Sequence, residues 1–434
     1  MIPSIIICSV ACLAMIFGVL FFPTVKLGRL RLDTYWIVAL LGAAVLIITG
    51  QADITNVGKA LISDDAINPV KILVLFISMT VLSIFLDELG FFSHLANVTL
   101  KKAKTSQMKL FLYLYLTVSV LTVFTSNDVI ILSFTPFICY FAKNAKISPM
   151  PYLAAEFVAA NTWSMMLVIG NPTNIYLSTA YGISFLEYTK TMLLPTLAAG
   201  TVAFLALFLL YRKKLSEPIS GEPEETSIKD KPQLAVGLAH LGICTVTLAV
   251  GSYIEGLEMW LVSLVSAISL FVFTLIFSIA RRKKPTELLA CLRRAPWQLI
   301  PFVIGMFVMV IGLSENGVTK AISDLLGEGG TVFKYGLTSF LAANVINNIP
   351  MSVLFCSIIE NLAAESTVPA VFSAVIGSNI GAFLTPIGAL AGIMWSSILK
   401  SHKLKFGYLD FLKIGVTVAI PTILAALGVL ALIL

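Results

Sequence analysis

The stretch NVINNIPMSV, Asn344–Val353, sets three asparagines and a proline between apolar runs. The run before it, YGLTSFLAA (Tyr335–Ala343), and the run at its end, MSVLFCSII (Met351–Ile359), are each nine residues long. As helices they reach about 14 Å, against roughly 30 Å of bilayer core. Neither crosses alone. The pattern predicts a helical hairpin that enters a membrane and turns within it. Irregular backbone at that depth is tolerated only where it is buried in protein or lines a cavity, so the tip is expected to line a site.

The rest of the chain supports a membrane setting. Of 434 residues, 58% are hydrophobic and 12% charged, and mean hydropathy is +0.96. Ordinary soluble domains carry about 25% charged residues. The apolar residues come in blocks such as Tyr35–Gly50, Met192–Tyr211, Leu257–Ala280 and Phe411–Leu434. A polytopic α-helical membrane protein fits. The alternating strands of about ten residues that mark a β-barrel are absent. The net charge of +6 comes from short basic runs beside spans, which reads as orientation signal and not as a nucleic-acid surface. Six cysteines, Cys8, Cys12, Cys139, Cys244, Cys291 and Cys356, mostly lie in apolar runs with no paired spacing and read as small buried hydrophobes. No Lys or Arg precedes the first apolar stretch, so it reads as a retained span and not a cleaved signal.

Spans are expected at 5–22, 34–50, 72–89, 109–142 (a pair), 151–176 (interrupted), 192–211, 234–253, 257–280, 299–313, 335–359 (the short pair), 368–399 (interrupted) and 411–434. With the loop Pro23–Asp33 in the cytoplasm and the spans alternating, 24 of the 29 Lys and Arg residues fall inside. Both termini are then outside, in a multi-pass protein of the cytoplasmic membrane. The most polar stretch, Arg212–Pro232, divides the chain into halves at 1–211 and 233–434 and reads as a flexible cytoplasmic linker.

The halves share one plan. ILVLFISMTVLSIFLDELG (Ile72–Gly90) matches LIPFVIGMFVMVIGLSENG (Leu299–Gly317). A hairpin follows each, with tips near 125–129 and 344–350. An interrupted span comes next, breaking near 170–174 and 377–388, and then a plain helix. Each half holds five crossings and one hairpin. Five is odd, so the second half enters the membrane inverted. The expected fold is all-α, with two inverted-topology repeats, each carrying a re-entrant helical hairpin and an interrupted transmembrane helix. Secondary transporters are built this way, with the site where the breaks meet.

Four stretches should therefore converge: Ser126–Val129, Gly170–Asn174, Asn344–Asn348 and Gly377–Gly388. The expected substrate or ion ligands are Asn127, Asp128, Gly170, Asn171, Thr173, Asn174, Asn344, Asn347, Asn348, Ser378, Asn379, Thr385 and Gly388. Glycine and proline unwind helices, while Asn, Ser and Thr add donors and acceptors without fixed charge. Such a set suits a small oxygen-rich solute or a cation; alternatively, the carboxamides only satisfy freed backbone groups. Asp128 is the one carboxylate at a tip, where an intramembrane acid is costly and marks function. Low dielectric favours its neutral form, which suits proton coupling; kept ionised, it would hold sodium. Asp87, Glu88, Glu156 and Glu315 read as charges at span ends or the cavity mouth.

Other classes find little support. The histidines, His94, His240 and His402, are far apart, and neither H-E-x-x-H nor G-x-x-x-x-G-K-[ST] occurs, so no enzyme, resident metal or cofactor is expected. A channel would show no uphill transport. SNDVIILSFTP (Ser126–Pro136), ANVINNIP (Ala343–Pro350) and GSNIGAFLTPIGALAGIMW (Gly377–Trp395) resemble the arsenical pump (arsenite permease) family of the ion transporter superfamily, across nearly the whole chain. That resemblance implies efflux of arsenite or antimonite in exchange for protons, a soluble ATPase subunit in some members, and site roles for Asn127, Asp128, Asn347, Asn348, Asn379 and Thr385. GNPTNIY (Gly170–Tyr176) looks more like relatives that handle sodium or carboxylates, so a sodium/proton antiporter or sodium-coupled carboxylate transporter is the alternative. Arsenite at neutral pH is an uncharged trihydroxide, which carboxamides and hydroxyls could bind. Cys139 and Cys356 follow their tips by twelve and nine residues, too far for thiolate ligation to be expected. A homodimer is possible on this reading.

Overall fold

Asparagine caps and prolines set where the helices begin. Asn68 accepts hydrogen bonds from the Val70 and Lys71 amides ahead of Pro69, and Asn171 does so from Thr173 ahead of Pro172. Each Asn satisfies an end amide, and each Pro occupies a first-turn position where no N–H is missed. The computed structural model describes residues 1–434 except 23, 28–29, 64–67, 104–105, 218–227, 252–253, 255 and 405.

Of the described residues, 81% are helical. The first half contains α1 (Ile2–Phe21), α2 (Thr34–Ile48), α3 (Ile54–Ile62), α4 (Pro69–Glu88), α5 (Phe91–Ala103), α6 (Gln107–Phe124), α7 (Asn127–Asn144), α8 (Met150–Trp163), α9 (Pro172–Ala180) and α10 (Phe185–Leu215). The second contains α11 (Lys231–Gly251), α12 (Met259–Ala280), α13 (Thr286–Arg294), α14 (Leu299–Glu315), α15 (Val318–Leu326), α16 (Thr331–Ile346), α17 (Asn348–Ile359), α18 (Ala364–Gly381), α19 (Leu390–Ser401) and α20 (Tyr408–Ile433). Among the described residues, the strands are one small antiparallel hairpin, β1 (Thr24–Leu27) with β2 (Leu30–Asp33), in the loop after α1. Seven helices of the described residues are long and apolar enough to cross a membrane.

The order of α11–α20 repeats that of α1–α10: two helices, a short helix, a long one, a short one, a hairpin, a broken helix and a long helix. The packing repeats as well. α2 lies on α14, as α12 lies on α4; α7 meets α19, as α17 meets α9. This agrees with the two-repeat plan. α10 and α20 pack along each other at the junction of the halves. α10 continues to Leu215 and α11 starts at Lys231; most of the expected linker, 218–227, lies outside the described residues. At its end, Asp230 pairs with Arg281 at 2.8 Å.

The broken helices form the centre. Every side chain from Pro151 to Thr162 on α8 and from Ala370 to Gly381 on α18 is buried. Helices surrounded on all sides in this way are held by close packing, and small residues let backbones approach. A Cβ at Gly377 would fall 2.5 Å from the Gly336 carbonyl oxygen of α16, so only glycine allows that crossing. The arms α16 and α17, 16 and 12 residues long, extend beyond the nine-residue runs that mark them in sequence.

Candidate functional site

The two breaks meet, and Asn379 ties them. Its Oδ1 accepts from Ser164 Oγ (2.9 Å) and Asn171 Nδ2 (3.0 Å), and its Nδ2 donates to Asn174 Oδ1 (2.6 Å) and the Val375 carbonyl (2.8 Å). All four of the hydrogen bonds a carboxamide can make are therefore used. The first break runs from Ser164 to Asn171, with a short 3-10 turn at Val168–Gly170. Asn174 donates to its freed carbonyls, Ser164 (2.8 Å) and Leu167 (3.2 Å). Asn171 accepts from the Thr173 amide and hydroxyl at 3.2 and 3.1 Å. Gly170 packs so closely that a Cβ would lie 2.2 Å from the Ser164 carbonyl oxygen.

The second break closes by the same means. Gly388 would carry a Cβ 2.5 Å from the Gly381 carbonyl oxygen. Thr385 Oγ1 donates to Asn344 Oδ1 at 2.7 Å, and Asn344 Nδ2 donates to the Phe340 carbonyl at 2.8 Å. The hairpin tip is latched to this break: Asn347 Nδ2 donates to the Ile387 carbonyl at 3.0 Å, and the Asn348 amide to the Gly388 carbonyl at 3.0 Å. Asn347 itself sits at φ 74°, ψ 154°, backbone space that favours glycine. Its side-chain bonds, including acceptance from the Ile349 amide at 3.4 Å, hold the strained turn in place.

At the other tip, Asn127 Nδ2 donates to Asn161 Oδ1 at 3.1 Å, and Asn127 Oδ1 accepts from the Asp128 amide at 2.9 Å. Asn161 precedes Gly170 by nine residues, as Asn379 precedes Gly388, so the two asparagines hold matching places in the halves. Most of the expected ligands thus bond to the breaks or to one another. Three side chains do not: Asp128, Asn348 and Ser378. The Asp128 carboxylate, half-buried, and the Asn348 carboxamide, buried, make no hydrogen bond among the described residues. They hold the matching first-turn positions of α7 and α17. Ser126 Oγ and Ser378 Oγ are also buried without a partner. A helix N-terminus presents free amides and a partial positive charge, so both tips favour an oxygen-bearing ligand.

Tyr35 of α2 stands within electrostatic range of Asp128. With Asn347, Ile387 and Phe302 it lines a cavity of about 30 Å³. That is room for about one water-sized group. The Tyr35 hydroxyl donates to Gln298 Oε1 at 3.4 Å. Tyr35, Asn161 and Ser164 are site residues that sequence reading missed. Asn161 was legible from its spacing to Gly170; Tyr35 comes from a distant helix and carried no signal.

One expectation is corrected. Glu156 is not a charge near the cavity mouth: it lies nearly two turns into α8, with no exposed surface, because α8 is enclosed on every side. Asp87, Glu88 and Glu315 are at span ends as expected. Arg294 bonds Asp87 at 2.7 Å and Glu88 at 2.5 Å, while Glu315 accepts from the Asp53 amide at 2.9 Å and Asn56 at 2.6 Å. Cys139 and Cys356 are buried along the hairpin arms, away from the tips.

Comparison with known proteins places this architecture. Over 379 residues the chain is 28% identical to the arsenical pump membrane protein of Escherichia coli K12, covering 82% of this chain and 85% of that one. It is 24% identical over 421 residues to a putative arsenical pump membrane protein of Bacillus subtilis, covering 90% and 92%. The crystal structure of the Alcanivorax borkumensis YdaH transporter, described as having an unusual topology, superposes with a TM-score of 0.57 at 14% identity, over 99% of this chain and 98% of that one. That likeness shows the fold. A family model described as citrate transporter matches residues 34–377. The chain belongs to that citrate transporter family of the ion transporter superfamily, as a multi-pass membrane transporter.

Proposed function

We propose that the protein exports arsenite or antimonite across the cytoplasmic membrane in exchange for protons, through two inverted repeats with both termini outside. The observation that carries this reading is the pair of uncommitted side chains, Asp128 and Asn348, at matching helix starts, where the other tip and break carboxamides are committed to hydrogen bonds. An ionised Asp128 accepts a charge-assisted hydrogen bond from a hydroxyl of a neutral trihydroxide; once protonated it is a weaker acceptor and carries a donor of its own, so the solute is held less well. Solute and proton then alternate on one group, which is the requirement for exchange. Substrate entry would require the tips to separate, since the cavity beside them holds about one water-sized group. The names of the relatives support arsenite as the first solute to test.

Sodium-coupled carboxylate transport or sodium/proton exchange is the second reading, favoured by the description of the family and by the Gly170–Asn174 stretch. Everted vesicles with an acid interior and a pH dye separate them. Arsenite added outside is expected to release protons from wild-type vesicles and not from Asp128→Asn vesicles. A response to sodium alone, or to sodium with citrate, would overturn arsenite exchange.

A further inference from the structure

Glu156 is a buried carboxyl that the exchange described above does not use. Thr135 Oγ1, on α7, lies 3.0 Å from its Oε1 and 3.1 Å from its Oε2. A hydroxyl carries one hydrogen, so it can donate to one of these oxygens; a carboxylic acid proton on the other completes a reciprocal pair. The Trp395 indole N–H of α19 is buried without a hydrogen-bond partner, so Thr135 is the one side chain bonded to this carboxyl among the described residues. No Lys, Arg or His pairs with Glu156 among the described residues, and an unpaired buried charge is strongly disfavoured. The geometry is that of a neutral acid.

Its surroundings are otherwise committed. The nearest titratable neighbour on α7 is Cys139, one turn beyond Thr135. Tyr152, one turn earlier on α8, donates to Gln107 of α6 at 2.8 Å. Tyr115 of α6 bonds the Gly200 carbonyl at 2.6 Å, and Tyr188 of α10 the Met165 carbonyl at 3.0 Å. From α18 and α20, Glu365 and Asp410 lie in the exposed first turns.

Two observations give this acid a role beyond packing. Thr135 follows Asp128 by seven residues on α7, so both face the same side, about 10 Å apart along the helix. Pro136 removes the donor that would otherwise satisfy the Leu132 carbonyl, on the turn between them. Secondly, the fold does not need a carboxyl here. Counting from Asn161 and Asn379, the second half has Ala374 where the first has Glu156; counting from Asn127 and Asn347, it has Phe355 where the first has Thr135. Both of these second-half residues are apolar and likewise buried.

We infer that Glu156 is a second proton-carrying group, so that two protons, one on Asp128 and one on Glu156, move inward for each solute exported. Thr135 belongs to the hairpin arm and Glu156 to the broken helix, so sliding of one past the other breaks the reciprocal pair. The proton then passes from the Glu156 carboxyl to water on the cytoplasmic side, leaving a carboxylate that takes up another from the outer side after reorientation. This inference rests on the proton–arsenite reading.

The test is a static-head measurement in proteoliposomes, with membrane potential clamped at zero and a pH difference of one unit. Each coupled proton sustains about a tenfold solute gradient. Wild type is expected to hold arsenite at about a 100-fold gradient, Glu156→Gln at about tenfold and Glu156→Asp at about 100-fold. The end-point does not depend on how much protein is active. Equal gradients for wild type and Glu156→Gln would overturn the inference, whether the shared value is tenfold or 100-fold. No gradient in wild type would instead overturn arsenite exchange itself. If Glu156→Gln transports nothing, Glu156→Asp decides: about 100-fold supports the second proton, and loss of transport there too overturns it.

Discussion

The tip of α6–α7 is tied to its surroundings by one side-chain bond, Asn127 to Asn161, whereas the tip of α16–α17 is bonded twice to the backbone of a break, at Ile387 and Gly388. The first tip carries a free carboxylate at Asp128; the second carries a free carboxamide at Asn348, next to Asn347, whose strained backbone its own side chain supports. The breaks differ in the reverse sense. The first holds Asn171, Thr173 and Asn174, where the second has Ala389, Ala391 and Gly392 and relies on Asn344 with Thr385. One plan has thus been filled with charge and a lightly held tip in one half, and with a latched tip in the other. A group that gains and loses a proton suits the lightly held side, and a fixed reference for the solute suits the latched side.

The sharpest way to break this comparison is to make the two tips chemically alike. Asp128→Asn should reduce proton-coupled transport to background in the vesicle assay while leaving the thermal midpoint in detergent near wild type. Retained proton-driven transport would remove Asp128 from the coupling role. Next in size is the tie between the halves. Asn379→Ala leaves Asn171 Nδ2 and Asn174 Oδ1 without a partner, while Ser164 keeps the Asn161 carbonyl, and should cost about 2–4 kcal/mol, with transport reduced about 10–100-fold. A thermal midpoint within a degree of wild type would show that the breaks are held together otherwise.

The latch can be separated from the strain. Asn347→Gly suits the backbone at φ 74° but loses the bond to Ile387; Asn347→Ala loses both. Thermal melting should rank wild type and Asn347→Gly above Asn347→Ala by about 1–2 kcal/mol, with transport reduced in both variants. Full activity in Asn347→Gly would show that the side chain serves only the turn. The smallest effect is expected from Cys139→Ser combined with Cys356→Ser, since both thiols are buried away from the tips. Arsenite transport should persist; its loss, with folding intact, would bring thiolate chemistry back.

Much of this architecture was readable from local signals. Pro172 after Asn171, the glycines at 170 and 388, and NVINNIP each interrupt apolar runs, and a helix breaks where its own residues cannot continue it. The carboxamides at the tips and breaks could likewise be named, because polar groups at membrane depth are too costly to be incidental. Their assignments could not. Asn174 proved to serve backbone carbonyls, and Asn379 to serve the opposite half, because a hydrogen bond depends on what lies within 3 Å and not on residue type. Glu156 failed differently: its distance from the helix start suggested the cavity mouth, but α8 is wrapped by neighbours from both halves.

The sequence by itself determined where the chain spans, turns and breaks, since hydrophobicity and backbone propensity act over a few residues at a time. Only the tertiary structure decided which polar side chains were already used, leaving Asp128 and Asn348 free, and which carboxyl was sealed from solvent. Hydrogen bonding and burial belong to pairs of segments, and Asn379 meets Ser164 across 215 positions of chain.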